Sequence, residues 1–121
     1  MVSIGRGSSD RARARLFEAL TIAEEIGSKR VGQGVLEATS GLAAFVGDWE
    51  PAARLYGASD AQREQMGLYR DPADEAFLTP LMTRARAAFG DDAFATAEAG
   101  ARPLTYEEST AEARVWLSES V

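Results

Sequence analysis

Residues 42–67 constrain the fold more than any other stretch of this 121-residue chain. One helical pattern ends there, a turn follows at Gly47 and Asp48, and a second helix begins with Asp48 as the expected N-cap and Pro51 in its first turn. Because a turn this short brings two helices side by side, the stretch predicts an antiparallel helical hairpin. The second helix is rich in small residues and is expected to end at Gly67.

The helix before this turn, predicted over about residues 29–46, has the strongest apolar period in the chain. Apolar residues recur every three or four positions, at Val31, Val35, Ala38, Leu42 and Phe45. We predict that this stripe faces the core. Three glycines in the same helix, Gly32, Gly34 and Gly41, each cost about 1 kcal/mol relative to alanine, so we expect a neighbouring backbone to approach closely there.

The opposite face of this helix carries small and polar residues: Gln33, Glu37, Ser40 and Ala44. With the apolar stripe assigned to the core, we predict that these four residues line a groove for a protein partner or peptide.

Helix signals account for the rest of the chain, and no segment alternates as a strand would. A first helix is expected to begin at Ser9 or Asp10 and to stop at Gly27. Asp71 and the following proline should open a fourth helix, which Pro80 should kink or restart. A short fifth helix follows Gly90, and residues 105–108 fit a capping box for the last helix. The sequence therefore predicts an all-α protein.

Composition narrows the classes of function. The formal net charge of −6 argues against nucleic acid as the main partner, because phosphate binding needs a basic surface. The chain has no Cys and no His, which removes disulfides, the commonest metal ligand and the commonest general base. No apolar run is long enough to span a bilayer, and no signal peptide is recognisable, so we expect a cytoplasmic protein without a membrane partner.

A shift of forty positions aligns the chain with itself, pairing Gly7 with Gly47 and Gly27 with Gly67. In this register Gly7 occupies an inter-helix turn. Residues 1–9 are then a flexible start or the remnant of a preceding helix, and residues 10–121 are a single tetratricopeptide-like helical domain. The first helix would lack its natural neighbour, so we expect self-association through its apolar face.

Residues 19–27 and 42–48 resemble tetratricopeptide-type repeats of the longer kind. Residues 52–64, and residues 84–94 followed by 100–108, are similar to the C-terminal repeat region of large bacterial multidomain regulators. That group includes LuxR-type ATPase transcriptional regulators, related winged-helix activators, and adenylate or guanylate cyclases with tetratricopeptide tails. The resemblance implies an α-solenoid fragment with capping C-terminal helices. It also implies a non-catalytic protein–protein interaction scaffold, a domain of a signalling or transcriptional regulator.

The acidic clusters offer an alternative interpretation. They could serve a small helical enzyme, or a ligand- or metal-binding domain. The clusters lie at Asp71, Asp74 and Glu75, at Asp91 and Asp92, and at Glu107 and Glu108. Each falls at a predicted helix start, where carboxylates are stabilised by the helix dipole, so capping is the favoured interpretation. Without His or Cys no catalytic triad is available. We therefore assign no catalytic, cofactor-binding or metal-ligating residue, and expect the protein not to be an enzyme and to need no cofactor.

Overall fold

A computed structural model describes residues 2–119, with side chains from residue 9 onward. Within that range the chain forms six helices and no strand, which confirms the all-α class. The helices are α1 (Val2–Ile26), α2 (Lys29–Phe45), α3 (Trp49–Met66), α4 (Pro72–Phe89), α5 (Asp91–Ala101) and α6 (Tyr106–Ser118).

The start of the first helix was predicted wrongly. Ser9 and Asp10 are interior residues of α1 rather than its N-cap, and Gly7 lies in the same helix rather than in a turn. Glycine lowers helix stability by about 1 kcal/mol without ending the helix, so Gly7 was a weak signal for an inter-helix turn. Met1 lies outside the described residues, and the separation of residues 1–9 from 10–121 stays a prediction.

The other helix boundaries follow the predicted signals. Gly27 and Gly67 end α1 and α3 with nearly equal positive φ angles of 69° and 67°, the left-handed conformation that glycine adopts without strain. The Asp71 carboxylate accepts a hydrogen bond of 2.8 Å from the amide of Ala73 at the start of α4. Thr105 forms the predicted capping box at α6. Gly27 and Gly67, which the forty-residue shift aligns, therefore both follow helix ends, whereas Gly7, unlike Gly47, lies inside a helix.

Pro80 lies inside α4 without moving the start of that helix, so the kink that was the other expectation stays a prediction. One predicted detail at α3 needs correction. Asp48 occupies the N-cap position of α3 but makes no side-chain capping bond. Its carboxylate instead accepts a 2.7 Å hydrogen bond from the indole nitrogen of Trp116, which ties the α2–α3 turn to α6.

Helix α3 is the centre of the packing and contacts α2, α4, α5 and α6. Its contact with α2 is the most extensive in the molecule, followed by its contact with α5. Small residues allow these close approaches: a Cβ at Gly57 would collide with the backbone carbonyl of Glu98 on α5. The core around α3 contains two clusters, one that includes Phe94 and Trp116 and another that includes Leu20 and Leu36.

Helix α6 returns to the first helix and packs on α1, α2 and α3. The buried guanidinium of Arg13 lies 3.9 Å from the centre of the Trp116 ring and donates a 2.7 Å hydrogen bond to the Trp116 carbonyl. A cation at this position also suits the negative end of the α6 dipole. Leu20 and Ala23 of α1 are buried, while Ile22 and Ile26 remain exposed. Part of the apolar face of α1 is therefore covered within the chain.

Candidate partner-binding groove

One stripe of α2 lies open beside α4, and three adjoining cavities run along it, of which the third is also lined by α1. The first, of about 440 Å³, has a polar lining that includes Arg30, Gly34 and Glu37. The second, of about 220 Å³, shares Gly34 and Glu37 with it and adds Ala38 and Phe77. The third, of about 420 Å³, shares Ala38 and Phe77 with the second and has an almost wholly apolar lining. We call this row of three adjoining cavities the α2 groove.

The α2 groove follows the helix from Arg30 to Phe45, a distance of about 22 Å at 1.5 Å per residue. That length matches four turns of helix or about seven residues of extended chain. The groove can therefore hold a segment of a partner protein as well as a small molecule.

The four residues predicted to line a groove are all buried and form no open face, although Gln33 and Glu37 contribute to the cavity lining. Their role in binding a partner stays a prediction. Gln33, Glu37, Ser40 and Ala44 are 5%, 8%, 0% and 0% exposed. Gln33 donates a 3.1 Å hydrogen bond to the Ser59 carbonyl of α3, and Ala44 belongs to a buried cluster with residues of α3. Only Gln33 and Glu37 reach a cavity, at the floor of the polar end.

Part of the predicted core stripe lines the α2 groove, namely Ala38, Leu42 and Phe45. Val35 is buried as expected, but Val31 and Phe45 are 44% and 63% exposed. Ala38 and Leu42 are partly buried and line the apolar cavity. The small residues of the other face allow α2 and α3 to pack closely, and the polar groups among them find hydrogen-bond partners, so their burial carries little penalty.

The three glycines of α2 differ in how closely other residues approach them. A Cβ at Gly41 would lie 2.8 Å from a ring carbon of Phe77, and one at Gly32 would collide with the hydroxyl of Tyr106. The close approaches predicted there exist, but the neighbours are aromatic side chains rather than backbones. Gly34 has no atom within 4 Å of its Cβ position, so the prediction of a close neighbour is wrong at that residue. It lies in the floor of the α2 groove.

The polar end of the groove is built on Arg70, a connector residue whose side chain is only 7% exposed. Its guanidinium contacts Glu37 of α2 at 3.4 Å, Asp60 of α3 at 3.3 Å and Glu75 of α4 at 3.0 Å. Burial acts to lower the pKa of Arg70, but the charge of Glu37 and the hydrogen bond to Glu75 outweigh it and raise the pKa. Arg70 therefore fixes the connector against three helices as a permanent cation.

Asp60 is the acidic centre of the same network. Its carboxylate accepts hydrogen bonds from Arg63 at 2.6 Å and from Arg102 at 3.0 Å, besides its contact with Arg70. Burial acts to raise the pKa of Asp60, but the hydrogen bonds from Arg63 and Arg102 and the nearby positive charges outweigh it and lower the pKa. The network thus links α3, α5 and the connector in one charged, internally paired unit.

Tyr69, beside Arg70 in the connector, lines the polar cavity and is 97% exposed. Its neighbour Arg70 is held by three carboxylates, so the Tyr69 ring is presented at the cavity mouth by an anchored backbone. Sequence reasoning treated residues 68–70 only as a connector. A tyrosine and an arginine next to a helix start were the available signal, because aromatic residues and arginine are enriched at binding surfaces.

The apolar end of the groove presents two aromatic side chains at its rim. Phe45 is 63% exposed and Phe77 is 56% exposed, and both line the 420 Å³ cavity. The remaining lining residues are Ala12, Arg15, Leu16, Ala38, Gly41 and Leu42, of which only Arg15 is charged. An apolar cavity with exposed aromatic rims is typical of sites that bind apolar side chains.

Two arginines border this apolar end. Arg15 lines the cavity and makes no ion pair within the part of the chain that the structure describes. Arg84 of α4 donates hydrogen bonds to the carbonyls of Ala44 and Phe45, at 3.4 and 3.3 Å, and has no carboxylate partner among the described residues. Arg15 therefore places a positive charge without an ion-pair partner in the lining of the apolar end, and Arg84 places a second one beside the C-terminal end of α2.

Members of two acidic clusters serve as helix caps or ion-pair partners, while Asp91 and Asp92 lie in the first turn of α5, whose N-cap makes no side-chain capping bond. Asp71 caps α4 and Glu108 completes the capping box of α6, as the sequence predicted. Glu75 pairs with Arg70, and Glu107 lies 3.8 Å from Lys29. Among the described residues, no three acidic side chains are grouped so that they could hold a metal ion.

No helix in the described part of the chain is both long and apolar enough to cross a membrane. Comparison with known proteins adds no relative: no family model, no curated protein and no solved structure matches this chain.

Proposed function

We propose that this chain is a non-catalytic protein–protein interaction module that binds a segment of a partner protein in the α2 groove. The observation that carries the proposal is the groove itself, about 22 Å long, open along one helix and rimmed by the exposed rings of Phe45, Phe77 and Tyr69. Aromatic side chains left exposed at a concave surface are typical of protein interfaces, where their burial supplies most of the binding energy.

The cellular role in this proposal comes from the sequence resemblance: a tetratricopeptide-like repeat domain of a bacterial, cytoplasmic signalling or transcriptional regulator. The equal left-handed ends of α1 and α3 at Gly27 and Gly67 support the repeat register. In a regulator of this kind, the groove would receive a segment of a sensor or output domain.

Site-specific photocrosslinking tests the proposal. A photoreactive amino acid placed at Ala38, in the groove floor, should capture a defined partner when the protein is expressed in its native host. Thr96, an exposed residue of α5 that lines none of the three cavities, is the matched control. Crosslinks that are absent at Ala38, or equally abundant at Thr96, would contradict binding in the groove.

Self-association through α1 belongs to the same proposal, since Ile22 and Ile26 remain exposed on that helix. Light scattering coupled to size-exclusion chromatography measures the molar mass in solution. A strict monomer at high protein concentration would contradict self-association through α1.

The alternative, an enzyme or a ligand-binding domain that uses the acidic clusters, has less support. Asp71 and Glu108 are engaged in capping and Glu75 in an ion pair, which leaves these carboxylates without a shared site. A metal-dependent rise in melting temperature that is lost in Asp71→Asn would favour this alternative.

A further inference from the structure

We propose that the apolar end of the α2 groove binds an acidic amphipathic helix, with apolar side chains in the cavity and carboxylates against Arg15 and Arg84. The inference rests on the proposed function, because it specifies the chemistry of the partner at the same groove. It goes beyond that function by choosing the secondary structure and the charge of the bound segment.

The lining of the cavity selects a helix over an extended segment. Apart from the Arg15 side chain, the residues that line the 420 Å³ cavity are all apolar or glycine. An extended peptide laid there would bury backbone amide and carbonyl groups without partners, at a cost of roughly 1–3 kcal/mol for each group. A helix satisfies these groups internally and buries only the side chains of its apolar face.

The geometry of the walls suits the same occupant. Helices α1 and α4 flank α2 at this cavity, which is lined by Ala38 and Leu42 of α2 and Leu16 of α1. The Phe77 ring already packs over Gly41, so an incoming helix would lie over Ala38 and Leu42, at about the 8–10 Å separation of packed helices. Phe45 and Phe77 then stand on the rim, where they would pack against the sides of the incoming helix.

Charge selects an acidic partner. The chain has 19 acidic and 13 basic residues, yet Arg15 and Arg84 remain without a carboxylate partner in the described part of the molecule. No acidic residue lines the apolar cavity. A positive charge in the lining of the cavity, at Arg15, and a second beside the Phe45 backbone, at Arg84, attract a segment whose carboxylates flank an apolar stripe, and they disfavour the basic counterpart.

The test uses two synthetic helical peptides of about 18 residues, with leucines at positions i, i+3, i+4 and i+7. The flanking residues are glutamate in one peptide and lysine in the other. Titrated into the full chain at about 0.15 M salt, the acidic peptide should bind at least about tenfold more tightly than the basic one. The shifted amide resonances should be those of residues such as Leu16, Ala38, Leu42 and Phe45.

Two variants and their matched controls separate the contribution of the positive charge at Arg15 from that of the aromatic ring at Phe45. Arg15→Glu should weaken the acidic peptide about tenfold and strengthen the basic one. Lys29→Glu, the same charge change at an exposed residue that lines none of the three cavities, should alter neither by more than about twofold. Phe45→Ala should weaken both peptides about tenfold. Val115→Ala, at a 62% exposed residue of α6 that lies outside the α2 groove, should have no effect.

Each of the remaining outcomes overturns the inference. Equal binding of the two peptides would remove the acidic preference, and no binding of either would remove the helix. Resonances of the groove that shift with protein concentration alone would assign it to a second copy of the chain. The photocrosslink at Ala38 is independent of these peptides, so a partner captured there would leave the proposed function standing even where the peptide preference fails.

Discussion

The two faces of α2 differ in polarity and in burial, and the more polar face is the more buried one. The face that carries Gln33, Ser40 and Ala44 is polar and small, and it is buried. The face that carries Phe45 is more apolar, and it is partly open to the groove. The buried face tolerates its polar groups because each has a hydrogen-bond partner, as with Gln33 and the Ser59 carbonyl. Helix packing here depends on small side chains and paired polar groups, while the more apolar face borders the α2 groove.

The largest expected effect comes from placing one arginine on either face. Ala44→Arg forces a long charged side chain into a site with 0% exposure and should cost at least about 4 kcal/mol of unfolding free energy. That is most of the stability of a typical small domain. Ala38→Arg opens into the groove, where the side chain reaches water, and should cost less than about 1 kcal/mol.

Thermal and urea unfolding followed by circular dichroism measure this difference. Comparable losses in Ala44→Arg and Ala38→Arg would mean that the two faces are equally buried, which would remove the α2 groove as an open surface.

A smaller effect is expected from the ion pair below the polar end of the groove. Glu37→Gln leaves the buried guanidinium of Arg70 with one carboxylate fewer and should cost about 2–3 kcal/mol. Glu24→Gln is the matched control, because Glu24 pairs with Arg114 at an exposed site, where such pairs contribute less than about 1 kcal/mol. Urea midpoints at constant slope measure both losses, and equal losses would contradict a buried, structural role for Glu37.

Sequence reasoning succeeded where local chemistry decides the structure. The helix ends at Gly27 and Gly67 and the caps at Asp71 and Thr105 each depend on a few adjacent residues, and all four were predicted. The orientation of α2 was not predictable in this way. Its apolar stripe was assigned to the core by periodicity, but the burial of its other face depends on α3, which presents small residues and the Ser59 carbonyl.

The residues of the α2 groove could not be identified from the sequence for the same reason. Arg70 gains its role from Glu37, Asp60 and Glu75, which lie 33, 10 and 5 positions away in the sequence. Neither a motif nor a periodic pattern joins these residues. The apolar end likewise forms only when α1 and α4 flank α2, so Arg15 and Phe77 could not be assigned to one cavity before the helices were placed.

A third effect is limited to acidic pH and depends on Asp60. Because its pKa is lowered in the folded protein, Asp60 contributes stability above its unfolded pKa of about 3.9. That contribution is lost as the pH falls through the lower, folded value. Urea unfolding from neutral pH to about pH 3 should therefore show a decline that is shallower in Asp60→Asn than in the parent chain. Asp74→Asn, at an exposed residue, is the control, and an equal change in both variants would contradict this assignment.

The smallest expected effect is a gain in unfolding free energy, opposite in sign to the losses expected at the buried face of α2. Gly34 is an exposed helical residue with no atom within 4 Å of its Cβ position, so Gly34→Ala should raise the unfolding free energy by about 0.5–1 kcal/mol. At Gly57, by contrast, the added methyl would collide with the Glu98 carbonyl, and Gly57→Ala should destabilise the protein. Urea unfolding distinguishes the two signs.

The same methyl group should impair binding, since it stands in the floor of the α2 groove. Gly34→Ala is therefore expected to give a more stable protein that captures less partner through the photocrosslinker at Ala38. A variant that is more stable and captures the partner equally well would place the bound segment away from Gly34. A variant that is less stable would mean that the floor is already in contact with another part of the chain, and the two faces of α2 would then no longer differ in the way the structure describes.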